Sequence, residues 1–120
     1  MGKYNELIAY QNAYKLAMKI FELSKRFPNE EVYSLTDQIR RSSRSVCANL
    51  AESYSKRRYP KHFISKLSDS AMENTETQSW LDFAYGCEYI DENHYRLLKK
   101  QSEEIGNILK YMISNPNKFS

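Results

Sequence analysis

The sequence is poor in the residues that make turns and cross-links. Its 120 residues include three Gly, three Pro and two Cys. So few Gly and Pro argue against a loop-rich or all-β architecture. The two cysteines, Cys47 and Cys87, show no metal-binding spacing and fall inside helical patterns. We therefore expect both to be small buried side chains in a reducing compartment, not a disulfide or a zinc site.

Long apolar runs are also missing. No run approaches the roughly 18 residues of a membrane span, and the N-terminal stretch MGKYNELIAY lacks the continuous apolar core of a signal peptide. Hydrophobic residues make up 41% and charged residues 28% of the chain, as in ordinary globular proteins. We expect a cytoplasmic protein with no membrane association, folded as a single domain over residues 1–120.

Apolar residues recur at helical spacing in four segments, and no segment shows the alternation of a strand. The predicted helices run from about Tyr4 to Arg26, Leu35 to Tyr54, Pro60 to Gly86 and Glu92 to Ser114. Short connections between helices of this length favour antiparallel neighbours. The pattern predicts an all-α, antiparallel up-down four-helix bundle.

Helix two has a distinct start and an unusual composition. Phe27-Pro28-Asn29 predicts a turn, and Ser34, three residues before Asp37, predicts an N-cap related to the capping box. Small residues allow neighbouring backbones to approach closely, which predicts a central helix packed on more than one side. These residues are Ser42, Ser43, Ser45, Cys47, Ala48 and Ala51.

Polar residues interrupt the apolar stripe of helix three. Asn74, Glu76, Thr77 and Gln78 precede Trp80 in the middle of the helix. A buried polar group needs a hydrogen-bond partner, so we expect a packing network that fixes helix register, in preference to a ligand site. The predicted partners on helix two are Gln38, Asn49 and Glu52.

Metal and cofactor chemistry finds little support. A carboxylate-bridged di-iron bundle needs Glu-x-x-His on two helices, whereas His62 and His94 both lie at predicted helix starts. Asp91, three residues before His94, is better explained as a helix cap. Glu73 and Glu76 lack nitrogen ligands nearby in sequence. We expect no metal site and no cofactor.

Catalytic patterns are equally weak. Cys47 has no histidine that sequence places beside it, and the serines of helix two have no evident base. Gly2, Gly86 and Gly106 are too scattered to form a phosphate-cradling loop. We therefore predict a protein that is not an enzyme and has no catalytic residues.

Charge is segregated along the chain. Residues 40–66 contain eight Lys or Arg and one acid, Glu52, whereas residues 67–92 contain seven acids and no Lys or Arg. The net charge is only +3, yet such an arrangement can concentrate positive potential on one surface. At about 100° per residue, Arg40 and Arg44 share a helix face with Arg41 beside them.

The basic residues are the main functional signal. Short serines beside the arginines leave the guanidinium groups accessible to phosphate, and Tyr54 and Tyr59 could stack on bases. No helix carries a base-reading pattern, so we expect salt-sensitive binding of RNA or DNA through backbone phosphates, with weak sequence preference. The predicted contact residues are Arg40, Arg41, Arg44, Lys56, Arg57 and Arg58.

Two other interpretations remain open. The basic residues could form a solvated helix face with no ligand. Alternatively, the chain could be a protein-interaction scaffold whose basic face docks an acidic partner, or the acidic third helix of a neighbouring subunit.

Several stretches resemble a known family. The sequence FP of residues 27–28, Glu31, YSLTDQIRRSS of residues 33–43 and ANLAES of residues 48–53 resemble FP..E.YGL..QIRRA..SI..NIAEG. That signature is typical of the bacterial four-helix bundle family named for proteins encoded in intervening sequences of 23S ribosomal RNA genes. Residues 9–13 and 63–90 are similar to its first and third helices, so the resemblance covers nearly the whole chain.

The resemblance implies a homopentamer, a barrel with a central channel and a basic surface. Relatives include accessory proteins of diversity-generating retroelements, which bind nucleic acid and a reverse transcriptase. Arg40 and Arg41 match the Arg-Arg pair of the family, and Asn49 and Glu52 match its polar core positions. The chain departs from the signature at residues 34 and 53, where serine stands in place of glycine.

Overall fold

The structure is a computed structural model that describes residues 2–120. Its four α-helices are α1 Ile8–Ser24, α2 Leu35–Ser55, α3 Pro60–Gly86 and α4 Glu92–Ser114. Three short 3-10 helices cover Tyr4–Glu6, Asn29–Glu31 and Pro116–Lys118. No strand occurs among the described residues, so the predicted all-α class is confirmed.

The helices form an elongated antiparallel bundle of 44 × 25 × 20 Å. Between α2 and α3, Ser42 pairs with Thr77 and Val46 pairs with Ser70, so the two helices run in opposite directions. Each helix packs on two neighbours, in the cyclic order α1, α2, α3, α4, and the diagonal pairs make no contact within the described residues. This arrangement confirms the predicted four-helix bundle.

The start of the first helix differs from the prediction. A helix was expected from Tyr4, but Leu7 has an extended backbone with φ −66° and ψ 131°, which separates the 3-10 turn from α1. The Leu7 side chain is buried in the core. Burial of this apolar side chain at the end of the bundle is favourable. The extended backbone that breaks the helix thus belongs to a residue of the core.

Helix α2 occupies one corner of the bundle. Ser42, Ser43 and Ser53 are buried, and their hydroxyls donate to carbonyls one turn earlier in the same helix. Ser42 and Ser43 were predicted to allow close packing of neighbouring helices and are buried, whereas Ala48, predicted with them, is exposed. The prediction of a central helix is wrong, because α4 lies diagonally opposite and its backbone does not come close to that of α2.

A different residue from the one predicted caps α2. Ser34 makes no side-chain capping bond. Instead, Leu35 N–H donates to Glu31 Oε1 over 3.2 Å, because the 3-10 turn Asn29–Glu31 places this carboxylate at the helix start. A negative charge is favourable there. At α4 the predicted cap is confirmed, since Asp91 Oδ1 accepts from His94 N–H over 2.8 Å.

The polar residues of α3 find partners other than those predicted. Asn74 is bonded to Ser102 of α4, and Thr77 is bonded to Ser42 of α2. The expected partners are engaged elsewhere: Asn49 donates to Ser45 O in its own helix, and Glu52 pairs with Lys66. Gln38 is exposed. A packing network therefore exists, but it links α3 to both neighbours.

The two cysteines differ in environment. Cys47 is buried, as predicted, and burial raises the pKa of its thiol to about 11. Cys87, also predicted to be buried, is exposed. It lies just beyond Gly86, in the connection between α3 and α4.

Candidate nucleic-acid interface

The six predicted contact residues lie in two separate places. Arg40, Arg41 and Arg44 are in the first half of α2, whereas Lys56, Arg57 and Arg58 follow its last residue. A rise of 1.5 Å per residue separates Arg44 from Lys56 by about 18 Å along the helix axis. The candidate interface therefore consists of two cationic groups on one helix and its following turn.

The first group is built around an aromatic ring of α1. Arg40 Nε donates to Ser24 Oγ over 2.8 Å, and its Cζ lies 4.9 Å from the centroid of the Phe21 ring. Arg44 Cζ lies 5.5 Å from the same centroid, and Lys25 Nζ lies 4.8 Å from it. We call these five residues the Phe21 cluster.

Positive charge in the Phe21 cluster is poorly neutralised. Lys25 pairs loosely with Glu22 over 3.4 Å at an exposed site, where such a pair contributes little. Within residues 2–120, Arg40 and Arg44 form no ion pair with any carboxylate. Three cations around one ring create a local positive potential that attracts an anion.

Arg41 lies outside this cluster. Its side chain is exposed, and it lies one turn before Ser45, which hydrogen bonds to Glu73 of α3. Arg41 is therefore on the edge of α2 that faces α3, whereas the Phe21 cluster is on the edge that faces α1. The structure brings two of the three arginines together and leaves Arg41 on the opposite edge.

The second group surrounds the connection between α2 and α3. We call Lys56, Arg57, Arg58 and Lys61 the turn cluster. Arg57 Nη1 donates to Tyr54 O over 3.0 Å, and its Cζ lies 4.3 Å from the Tyr54 ring centroid. The other three side chains are exposed.

No carboxylate of residues 2–120 forms an ion pair with the turn cluster. Glu52, the one acid of residues 40–66, pairs with Lys66 over 2.8 Å. That hydrogen bond raises the pKa of Lys66. The carboxylate nearest to the turn in sequence is therefore occupied by a cation of α3, and the turn cluster keeps its positive charge.

Only one of the two tyrosines predicted to stack on bases is accessible. Tyr54 is 4% exposed and belongs to the hydrophobic core, so the prediction for Tyr54 is wrong. Helical periodicity directs it inward, on the same side as Leu50. Tyr59 is 60% exposed and packs edge-on against His62 at 6.3 Å.

Sequence reasoning missed Phe21, Ser24 and Lys25. Phe21 and Ser24 lie on α1 and Lys25 follows its last residue, so their contacts with Arg40 and Arg44 depend on how α1 and α2 pair. The spacing of Phe21 and Lys25, one helical turn apart, was a signal that they share a face, but it did not identify the arginines as their partners.

Acidic residues gather on α3. Asp69, Glu73 and Glu76 recur at three- and four-residue spacing, so they share one face. Partial burial and the neighbouring Glu76 raise the pKa of Glu73. The bundle therefore carries an acidic face on α3 as well as the two cationic groups.

In the part of the chain that the structure describes, no three His, Cys, Asp or Glu side chains are grouped so that they could hold a metal ion. Among the same residues, no helix is long and apolar enough to cross a membrane.

Fold and surface together define a class: small all-α bundles of four antiparallel helices with clustered surface cations. The chain belongs to the family of 23S rRNA-intervening sequence proteins, whose model matches residues 5–111. The family resemblance found in the sequence is thus confirmed. The relation to retroelement accessory proteins stays a prediction.

A solved structure is similar over almost its whole length. It is a protein of unknown function from the S23 ribosomal protein family of Bacteroides thetaiotaomicron, 29% identical to this chain. The match covers 89% of this chain and 96% of that protein, with a TM-score of 0.79. No match was found among curated proteins.

Proposed function

We propose that this chain is a non-enzymatic, self-associating cytoplasmic bundle that binds RNA or DNA through backbone phosphates. The phosphates would contact the Phe21 cluster, Arg41 and the turn cluster. The observation that carries the proposal is that, among residues 2–120, no arginine of these two clusters and no lysine of the turn cluster pairs with a carboxylate. Lys25 has only its exposed contact with Glu22. Binding of a polyanion would neutralise both clusters and release its own condensed counterions.

The geometry of Arg40 suits phosphate recognition. Ser24 accepts a hydrogen bond from Nε, and the guanidinium carbon lies over the Phe21 ring. The Nη groups have no hydrogen bond to the described residues and present a planar fork that matches phosphate oxygens. Because part of the side chain is already ordered, less conformational entropy is lost on binding than for a free arginine.

Light scattering tests the proposal directly. Mass would be measured with and without a mixed-sequence RNA, at a low and a high salt concentration. The family resemblance implies a mass near five subunits. We expect RNA to be taken up at low salt and released at high salt, because phosphate contacts weaken steeply with ionic strength. A stable oligomer indifferent to RNA at both salt concentrations would contradict the proposal.

Two charge-removing variants locate the interface. We expect the triple variant Arg40→Gln, Arg41→Gln, Arg44→Gln and the triple variant Lys56→Gln, Arg58→Gln, Lys61→Gln each to weaken RNA binding while the oligomer stays intact. The matched control removes the same charge from exposed lysines of α1 and α4. It combines Lys19→Gln, Lys100→Gln and Lys110→Gln.

A second candidate function is supported by the acidic face of α3. A subunit that carries a basic edge on α1 and α2 and an acidic face on α3 has complementary surfaces for a head-to-tail ring. In that case the chain is a protein-interaction scaffold and the arginines serve assembly. The arginine triple variant distinguishes the two candidates, since it would then dissociate the oligomer.

A further inference from the structure

Three tyrosines follow the edge of α1 and its preceding 3-10 helix that faces α2: Tyr4 and Tyr14 are exposed and Tyr10 is partly buried. The Tyr4 and Tyr10 rings meet edge-on with centroids 4.9 Å apart, and the Tyr10 and Tyr14 rings stack with centroids 6.3 Å apart. Tyr14 and Phe21 are seven residues apart, which is two helical turns, so these rings share one face. We call Tyr4, Tyr10 and Tyr14 the tyrosine stripe.

The tyrosine stripe lies between the two cationic clusters. Its C-terminal continuation on α1 is Phe21, the centre of the first cluster. Burial and the neighbouring Cys47 of α2 raise the pKa of Tyr10, which places this ring beside the middle of α2. The 3-10 helix Tyr4–Glu6 packs on α2, and because α1 and α2 are antiparallel, it lies towards the end of α2 where the turn cluster begins.

The stripe is open to a ligand. Tyr4 is 41% and Tyr14 51% exposed, although each ring also contacts Tyr10. A groove of about 350 Å³ runs beside them. Its lining includes Lys15 and the amide side chains of Asn5 and Gln11, and no carboxylate lines it.

We propose that the tyrosine stripe is a base-stacking platform and that the preferred ligand is a single-stranded polynucleotide. Its phosphates would contact the two clusters, and its bases would lie on the rings between them. The clusters are about 18 Å apart, which corresponds to about five stacked nucleotides at 3.4 Å each. Duplex bases are already stacked on one another and do not offer their faces to a ring. This inference rests on the proposed function.

Charge complementarity favours a polynucleotide over another protein as the occupant. Aromatic rings flanked by Lys and Arg form the usual platform for single strands, because every base has a face that can stack. A second copy of the chain would have to bring carboxylates to both ends of the stripe, but the acidic face of α3 spans only about 10 Å from Asp69 to Glu76 and would meet one cluster at a time. That alternative is one outcome of the experiment below.

Fluorescence anisotropy compares the two ligand forms. The probes are a labelled oligo(dT) and a labelled duplex, each about 20 nucleotides long and so longer than the expected contact. We expect the single strand to bind at least about tenfold more tightly than the duplex, since only the single strand gains base stacking. A uridine oligomer of the same length reports whether RNA and DNA are equivalent.

Substitutions then test the rings. We expect the double variant Tyr4→Leu, Tyr14→Leu to weaken single-strand binding by about tenfold or more, because two stacking surfaces are lost, with little change in duplex binding. The double variant Tyr4→Phe, Tyr14→Phe keeps the rings and should restore the affinity. The matched control is Tyr33→Leu, Tyr85→Leu, which removes two exposed rings away from the stripe. Circular dichroism would verify that every variant is folded.

Each outcome has a distinct meaning. Equal binding of single strand and duplex, with no effect of the leucine variant, would overturn the stacking platform and leave the proposed function standing. Failure of the unmodified protein to bind either probe would overturn both. If the leucine variant loses the oligomer measured by light scattering, the tyrosine stripe is a subunit contact and the inference is wrong.

Discussion

Asn74 of α3 and Ser102 of α4 hold each other through two hydrogen bonds. Asn74 Nδ2 donates to Ser102 O over 2.8 Å, and Ser102 Oγ donates to Asn74 Oδ1 over 2.9 Å. Both residues are buried. Gly106, one turn after Ser102, leaves room for this amide, because a Cβ at that position would lie 3.3 Å from Asn74 Nδ2.

We expect Gly106→Ala to destabilise the protein by about 1 kcal/mol, measured by urea unfolding. Alanine raises helix propensity by about 1 kcal/mol, but the new methyl group crowds an amide whose nitrogen and oxygen are both bonded to Ser102, so that moving the amide would lengthen these bonds. Overpacking of this kind typically costs about 1–3 kcal/mol. The control is Gly86→Ala, where no atom lies within 4 Å of the new Cβ. Greater stability of the Gly106 variant would show that Asn74 relaxes easily.

The hydroxyl of Thr77 supplies the second cross-link of α3. It donates to Ser42 Oγ of α2 over 2.8 Å at a fully buried position. We expect Thr77→Val, which keeps the shape, to lower the free energy of unfolding by about 1–2 kcal/mol, because Ser42 loses a buried partner. Thr75→Val is the matched control, since Thr75 bonds only to its own helix on the exposed side. Equal effects in the two variants would mean that the link between helices contributes nothing.

The sequence was sufficient to predict where α3 and α4 begin and end. Pro60 and Asp91 marked the starts of α3 and α4, and both ranges agree with the structure. Partners across helices were not predictable in the same way. Periodicity indicates that Asn74 faces inward, but the register between helices decides that it meets Ser102 and not Asn49.

In the candidate site, too, the arrangement of residues along one helix was predictable, whereas contacts between helices were not. Arg40 and Arg44 were correctly placed on one helix face, because four residues make about one turn. Their contact with Phe21 and Ser24 depends on the pairing of α1 with α2, which one-dimensional spacing does not contain. The cap of α2 was mispredicted for a related reason, since Glu31 reaches the helix through a 3-10 turn that has no strong sequence signal.

Asp82 gives a prediction about pH. Lys99 Nζ and the Tyr95 hydroxyl donate to its Oδ1 over 2.8 and 2.6 Å, and these bonds lower the pKa of Asp82. The folded-state pKa is then below the unfolded value of about 3.9, so the stabilisation is complete above the unfolded pKa and is lost as pH falls through the folded one.

We therefore expect Asp82→Asn to be less stable than the unmodified protein at neutral pH, by up to about 1 kcal/mol because the site is half exposed. The difference should shrink as pH falls below about 4. Urea unfolding across this range measures it. Glu103→Gln, on the exposed side of α4, should show a smaller difference at neutral pH. If the Asp82 variant stays less stable than the unmodified protein by the same free energy of unfolding down to the lowest pH, ionised Asp82 is not the source of the stabilisation.

Salt dependence provides the most specific check on the turn cluster. For single strands, the slope of log K against log salt changes by about 0.7 for each phosphate contact. We expect Lys56→Gln with Arg58→Gln to make the slope shallower by about 1.4, in anisotropy titrations between about 50 and 200 mM salt. Lys19→Gln with Lys100→Gln should leave it unchanged. If affinity falls in the turn variant while the slope stays the same, its cations do not touch phosphate, and they support the interface only through the conformation of the turn.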